Sequence, residues 1–379
     1  MNVKTNSPLA WWLAIRPKTL TGAAAPVLVG GSMAFVYMAS SMSHDDWSAP
    51  SFIQWLPSAL LPFGLCLLFA IVMQIDANLI NDYFDFKKGT DREDRLGPER
   101  ACSQGWITPI AMQLAIAIVT ILSCLVGLLI LLLHMQYELL LVGFLCVLFC
   151  FLYTTKLSYL GWGDILVFIF FGLVPVFFTC YVMTEGEWCV PIIIAGAAMG
   201  LATDTLLVVN NYRDREQDAI SGKRTVIVRI MEKYSTSGLY GRASKEGKVE
   251  KSDGASKEGK VEKSDGASKE GKVEKADEAS KESKVEKADG ASKEGLQACH
   301  DLYLWLGVFA TILGIVALFM YPLTSIRYPF MVVYLILHFR TFRRFQSLDG
   351  RELNAVLGET ARNIFLFGLL FAANVLIGQ

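Results

Sequence analysis

The chain has 379 residues, 53% of them hydrophobic and 12% aromatic, with a net charge of −1 and a mean hydropathy of +0.41. No overall basic field points to nucleic acid, and an ordinary soluble domain would interrupt its apolar stretches sooner. Charge is also uneven: residues 243–295 hold 13 of the 35 basic and 14 of the 36 acidic side chains. The remainder is sparsely charged, so each charge in it needs a reason.

Apolar runs long enough to cross a bilayer as helix recur along the chain. They predict an all-α integral membrane bundle of nine helices, near 19–40, 57–82, 107–133, 137–155, 163–183, 191–212, 302–321, 328–345 and 361–378. The eighth is crowded at its end by His338, Arg340, Arg343 and Arg344. Lys and Arg gather before helix 1 and after helices 2, 4, 6 and 8, whereas the opposite segments lack them apart from Arg327. By the positive-inside rule the N-terminus is cytoplasmic and the C-terminus lies on the far side. The first apolar run follows Arg16 and Lys18 without the short core and cleavage site of a signal peptide. A multi-pass integral membrane protein is expected, with the bilayer as its partner and no nucleic acid.

Residues 243–290 are four copies of a 12-residue unit beginning Ala243-Ser-Lys-Glu-Gly-Lys-Val-Glu-Lys, and a fifth copy stops at Gly295. Each unit offers one Val as its only large apolar residue, too little to offset the entropy of ordering. A disordered cytoplasmic insert at 238–298 is therefore expected. It divides a membrane domain into 1–237, with helices 1–6, and 299–379, with helices 7–9. Of the eight Cys, most lie inside apolar runs and none forms a CxxC pair, which reads as small buried hydrophobes. The four His are isolated.

Two clusters carry the chemistry. The first is Gln74-Ile-Asp-Ala-Asn-Leu-Ile-Asn-Asp-Tyr-Phe-Asp-Phe-Lys-Lys-Gly-Thr-Asp91. If helix 2 continues through it, Asn78, Asp82 and Asp85 share a face, Asn81 lies four before Asp85, and Gly89 lets the chain turn Asp91 back toward them. In the second, Asn210, Asp214 and Asp218 fall at i, i+4 and i+8, with Asn211 and Arg213 between them and Lys223 and Arg224 beyond. Four helices separate the clusters, so both reach the same side. Carboxylates and amide oxygens suit Mg²⁺, which keeps waters and binds substrate phosphates. The metal would stabilise charge on a departing diphosphate, with Lys156, Arg213, Lys223 and Arg224 available as further donors. Asp76 and Asp204 sit about two turns inside their helices, where a bond to a neighbouring helix explains either one.

These strings resemble the UbiA superfamily of intramembrane aromatic prenyltransferases, over the whole chain except about 238–298. Asn81-Asp82-Tyr-Phe-Asp85 is similar to the first Asp-rich motif of that family and Asp214-Arg-Glu-Gln-Asp218 to the second. The family's usual third Asp is replaced by Gly89, with Asp91 taking its place. Gly89-Thr-Asp-Arg-Glu-Asp-Arg-Leu-Gly-Pro98, Arg16-Pro-Lys-Thr-Leu20 and Asn210-Asn-Tyr-Arg-Asp214 resemble the 1,4-dihydroxy-2-naphthoate polyprenyltransferase branch of menaquinone synthesis. The resemblance implies Mg²⁺ at Asp82, Asp85, Asp91, Asp214 and Asp218, the four other than Asp91 being catalytic. It implies a polyprenyl diphosphate donor and 1,4-dihydroxy-2-naphthoate as acceptor, with loss of carbon dioxide and a proton. It also places a phosphate-contacting base near Tyr153 and Lys156. Arg16 is read equally as a substrate contact or a topology anchor, and Phe168-Ile-Phe-Phe-Gly172 as lipid-facing bulk rather than tunnel wall. A sister enzyme with another acceptor, such as 4-hydroxybenzoate, and an ion-coupled transporter are the rival readings.

Overall fold

The computed structural model describes residues 3–41, 49–89, 95–235, 273–322 and 329–378, with backbone alone for 49–55 and 273–292. Among the described residues there is no strand, and eight helices are long and apolar enough to cross a membrane. In chain order the helices are α1 (Pro8–Ile15), α2 (Pro17–Ser40), α3 (Ala49–Lys88), α4 (Pro109–His134), α5 (Glu138–Leu152), α6 (Gly163–Phe168) and α7 (Val174–Met183). They continue as α8 (Val190–Arg213), α9 (Arg215–Ile220), α10 (Val226–Tyr234), α11 (Val273–Met320), α12 (Phe330–Ser347) and α13 (Leu353–Ile377). Two π-helical turns interrupt them: Tyr153–Leu157 extends α5, and Ile169–Leu173 joins α6 to α7 as one span.

Three elements differ from expectation. The eighth expected span is present as α12, but it is only 18 residues long and Arg340, Arg343 and Arg344 occupy its end, so it does not rank with the other eight. The last helix starts at Leu353 rather than 361, because a capped 3₁₀ turn at Gly350–Glu352 leads straight into it. Finally, α11 begins at Val273, inside the repeats where unstructured chain was expected. The Ala, Lys and Glu of those units are strong helix formers, and attachment to a membrane span removes the cost of nucleation. Residues 236–272 lie outside the described residues.

α8 is the axis of the bundle, packed by α11, α13, α6 and α7, while α2 fills the groove between α13, α7 and α3. Since lipid supplies no hydrophobic drive between helices, close approach over small residues must provide the contact. Gly172 of the second π turn meets Gly196 and Gly200 of α8 so tightly that a Cβ on Gly172 would lie 2.4 Å from the Gly200 Cα. By contrast α5 packs mainly along α3, α4 and its own π turn, and it has no buried residue. Gly200→Val should therefore destabilise the bundle by about 1–3 kcal/mol through overpacking, seen as a lower thermal midpoint of the detergent-solubilised protein. An unchanged midpoint would mean that this crossing is looser than described.

Candidate active site

Both acidic clusters lie at one end of the bundle. α3 runs unbroken through Asp82 and Asp85 to Lys88 and stops at Gly89, whose φ of +65° suits a residue without Cβ. Asp91 is outside the described residues. α8 carries Asn210, Asn211 and Arg213, then bends at Asp214 into the short α9 that bears Asp218.

Asp82 is 1% exposed, and its two oxygens accept the backbone N–H groups of Ala101 and Cys102, both at 2.9 Å. It thereby fixes the turn at 100–107 beneath the mouth. Arg16, in the left-handed region at φ 55°, links α1 to α2 and brings its guanidinium to 3.9 Å from Asp82. Such strain in a non-glycine residue is held only where the surroundings dictate it. Asp85 accepts a 2.8 Å bond from Arg100. Asn78 donates to the Ile15 carbonyl and the Thr19 hydroxyl and accepts from Gln74, so it joins α3 to the start of α2. Asn81 accepts from Thr154 on the first π turn at 2.9 Å.

Arg213 governs the second cluster. It is 3% exposed and grips Asp214 with two 2.7 Å bonds, while also donating to Asn210 and to Asn354. Asn354 in turn donates to the Leu96 carbonyl. One side chain at the start of α13 thus bridges the second motif to the loop that follows the first. Arg215 forks onto Asp349 at 2.9 Å, tying α9 to the residue that caps the 3₁₀ turn before α13. Asp218 lies 3.4 Å from Lys223. Its other oxygen, Oδ2, is buried without a protein partner. Burial raises the Asp218 carboxyl from its ordinary value, against the pull of Lys223. For Lys223, burial favours loss of the proton, but Asp218, Tyr153, Asp85 and Asp214 together raise it, so the ammonium is held. The two clusters therefore meet electrostatically on Lys223.

Other sites fall elsewhere. Lys156 is exposed on the π turn. It is Lys88 that donates to the Thr154 and Thr155 carbonyls and lies 3.9 Å over the Tyr159 ring. Arg224 pairs with Glu232 at 2.8 Å, and more than half of its side chain is exposed. Asn211 is buried and borders a small polar cavity with Asp164, Tyr153 and Lys223. Asp76 accepts from Thr120 of α4 at 2.7 Å, as a bond to a neighbouring helix requires. Asp204, like Asp76, keeps a buried Oδ1 without a protein partner. Sequence reasoning did not single out Arg100, Asn354 or Lys88. Each binds a residue 15 to 141 positions away, and no local pattern encodes that.

Beneath the mouth lies a cavity of 330 Å³ with overwhelmingly apolar walls, bounded at its polar end by Asn81 and Tyr153. Phe170 and Phe171 line it, which corrects the reading of that Phe-rich run as lipid-facing bulk. The π turn explains the change, because its wider winding sets these rings apart from the ordinary helical face.

Among the described residues no three Asp, Glu, His or Cys side chains form a ready cage for a metal. The donor chemistry nonetheless fits Mg²⁺, which needs only one or two carboxylates plus water and phosphate oxygens. The unpartnered Asp218 Oδ2 is one such donor, and Asp85 and Asp214, now neutralised by Arg100 and Arg213, are the others.

A multi-pass helical bundle with a charged mouth over an apolar cavity defines an integral membrane protein built to handle an amphipathic molecule. Comparison with known proteins sharpens this. The UbiA prenyltransferase family model matches residues 28–240, and the chain belongs to that family. It is 34% identical over 230 residues to 1,4-dihydroxy-2-naphthoate octaprenyltransferase of Haemophilus influenzae, covering 58% of this chain and 68% of that one. The protein of the same name from Escherichia coli is 34% identical over 232 residues, 59% and 69% of the two chains. UbiA prenyltransferase domain-containing protein 1 of Danio rerio is 27% identical over 58% and 60%. A solved structure of digeranylgeranylglyceryl phosphate synthase shares the fold, with TM-score 0.52 at 16% identity over 97% and 98% of the chains.

The Asn354 bridge makes a direct prediction. Asn354→Ala leaves an Arg213 N–H and the Leu96 carbonyl without that partner, at a cost of about 1–3 kcal/mol. Trypsin should then cut faster at Arg95, as read by gel and mass spectrometry. Cleavage at the wild-type rate would mean that Asn354 does not hold the 95–100 loop.

Proposed function

We propose that this chain is a bacterial inner-membrane enzyme that transfers a polyprenyl group from its diphosphate to 1,4-dihydroxy-2-naphthoate in menaquinone synthesis. The bond from the allylic carbon to diphosphate oxygen breaks, and a bond forms to the ring carbon bearing the carboxyl group. Counted from the neutral acid, carbon dioxide and a proton leave, giving a demethylmenaquinol. The supporting observation is that Asn354 ties Arg213 of the second cluster to the loop after the first, while Asp85, Asp214 and Asp218 all bear on the Lys223 ammonium, above an apolar cavity whose polar end carries Asn81 and Tyr153. The acceptor rests on the names of the 34% identical relatives.

In this reading Asp85, Asp214 and Asp218, with Asp91, hold Mg²⁺, and Asp82 contributes while anchoring the 100–107 turn. When bound, the metal supplies positive charge against the leaving diphosphate. Lys223 adds a held ammonium, and Arg16, Arg213 and Arg100 keep the carboxylates in place. Asn78, Asn81, Asn210 and Asn211 set the helix faces, and Lys156 and Arg224 remain available to the diphosphate at the rim. The apolar cavity takes the tail and excludes water from the allylic cation. Nine helices, with α12 as the eighth, place the N-terminus and the mouth on the cytoplasmic side.

Purified protein supplied with Mg²⁺, polyprenyl diphosphates and candidate acceptors should release prenylated naphthoquinol, identified by mass spectrometry. Asp85→Asn and Asp218→Asn should each lower turnover by about 100-fold or more, the scale of losing a stabiliser of developing charge. EDTA should stop the enzyme and Mg²⁺ restore it. Full turnover in both variants would refute the metal-centred reading, whereas efficient prenylation of 4-hydroxybenzoate alone would reassign the acceptor.

We also infer that the 238–298 insert stands apart from catalysis, between the membrane segments 1–237 and 299–379. Removing residues 243–290 should keep specific activity within about twofold, because the cost of closing a loop changes slowly with its length. A collapse of activity would make the repeats part of the enzyme.

A further inference from the structure

The cavity wall formed by α5 has an unusual member. Leu139, Gly143, Cys146, Cys150 and Tyr153 all border the cavity, and their spacing of i, i+4, i+7, i+11 and i+14 is one helical face. Gly143 thus stands in the middle of the stripe that looks into the cavity. A glycine within a helix lowers stability relative to alanine, so it needs a reason. Close helix contact is the reason at Gly172 and Gly200, where an added Cβ would strike backbone. At Gly143 an added Cβ meets nothing within 4 Å, and the backbone there has no positive φ. Gly22, Gly64 and Gly358 are equally open, but none of them borders the cavity. Across the cavity on α4, Gly127 is already tight, with its Cβ position 3.3 Å from the Phe69 ring. The space at Gly143 is therefore space kept for an occupant of the cavity.

Gly143 lies ten residues from Tyr153 at the polar mouth, about 15 Å along the helix. Beyond it the cavity continues to Leu139 and Ile130, near the opposite ends of α5 and α4, and to Cys66 of α3. A short prenyl tail fits between the mouth and Gly143, and a long tail must pass it. We propose that Gly143 is a specificity-determining residue that admits long polyprenyl tails past the middle of the cavity. This rests on the prenyl-transfer reading above.

The test is a graded series, Gly143→Ala, Gly143→Leu and Gly143→Phe, assayed with geranyl diphosphate and with all-trans octaprenyl diphosphate. Turnover of the octaprenyl donor should fall progressively, at least tenfold in the Phe variant, while geranyl turnover stays within about twofold. Retained geranyl turnover certifies that a variant is folded. If the Phe variant loses both donors, the Leu variant decides, since it keeps the same prediction with a smaller side chain. Equal octaprenyl turnover in wild type and in the folded variants would overturn the proposal, because the tail would then leave the cavity before reaching α5's midpoint. A wild-type protein that turns over neither donor would instead refute the prenyl-transfer reading.

Discussion

Burying a guanidinium inside a helical bundle is costly unless every direction in which it points is met by an acceptor. Arg213 satisfies that demand with the two oxygens of Asp214, the amide of Asn210 and the amide of Asn354. The demand shapes the whole end of the molecule. It fixes where Asp214 stands, where α8 must bend into α9, and where α13 must begin. Through Asn354 it also holds the loop that leaves the first cluster, and Gly97 lies so close to the Arg213 fork that a side chain there would collide with it. A mouth built from carboxylates alone would fly apart by mutual repulsion. Here Asp85, Asp214 and Asp218 are each countered by a base of fixed position, and charge-assisted bonds of this kind are short and directional.

The counter-charges also explain how an acidic site can be ordered before any substrate arrives. Asp85 leans on Arg100, Asp214 on Arg213 and Asp218 on Lys223. Asp82 is spent on backbone N–H groups and acts as the anchor on which the 100–107 turn rests. A diphosphate with its metal brings both signs of charge, so it can engage the bases and the acids together without leaving either buried alone.

Much of this was legible in the sequence because helices impose a simple period. The i, i+4 and i+7 spacing of Asn78, Asp82 and Asp85 needs only a continuous α3, and the apolar runs mark where helices must lie. The membership of the charged network was legible only in part, since Arg213 and Lys223 stand beside the second motif in the chain. Arg100, Asn354 and Lys88 find their partners through the fold rather than through spacing. The Phe170 and Phe171 rings were misread because a π turn shifts the face that an α-helical period assigns. The helical start of α11 at Val273 was missed because the repeats lack an apolar face, whereas their residues favour helix once a neighbouring span has nucleated it.

The π turn at Tyr153–Leu157 carries a consequence for how such a protein diverges. A π turn amounts to one extra residue accommodated within an α-helix. Deleting a single residue there would return the helix to ordinary winding without rotating the segments on either side, because a π turn covers with one residue more about the angle that an α turn covers. Only the turn itself would be rebuilt, and with it the place of Thr154, whose hydroxyl meets Asn81. The turn is thus a joint that absorbs a change of length. The tail-binding wall on one side of it and the headgroup contacts on the other can each keep their register while the chain between them gains or loses a residue.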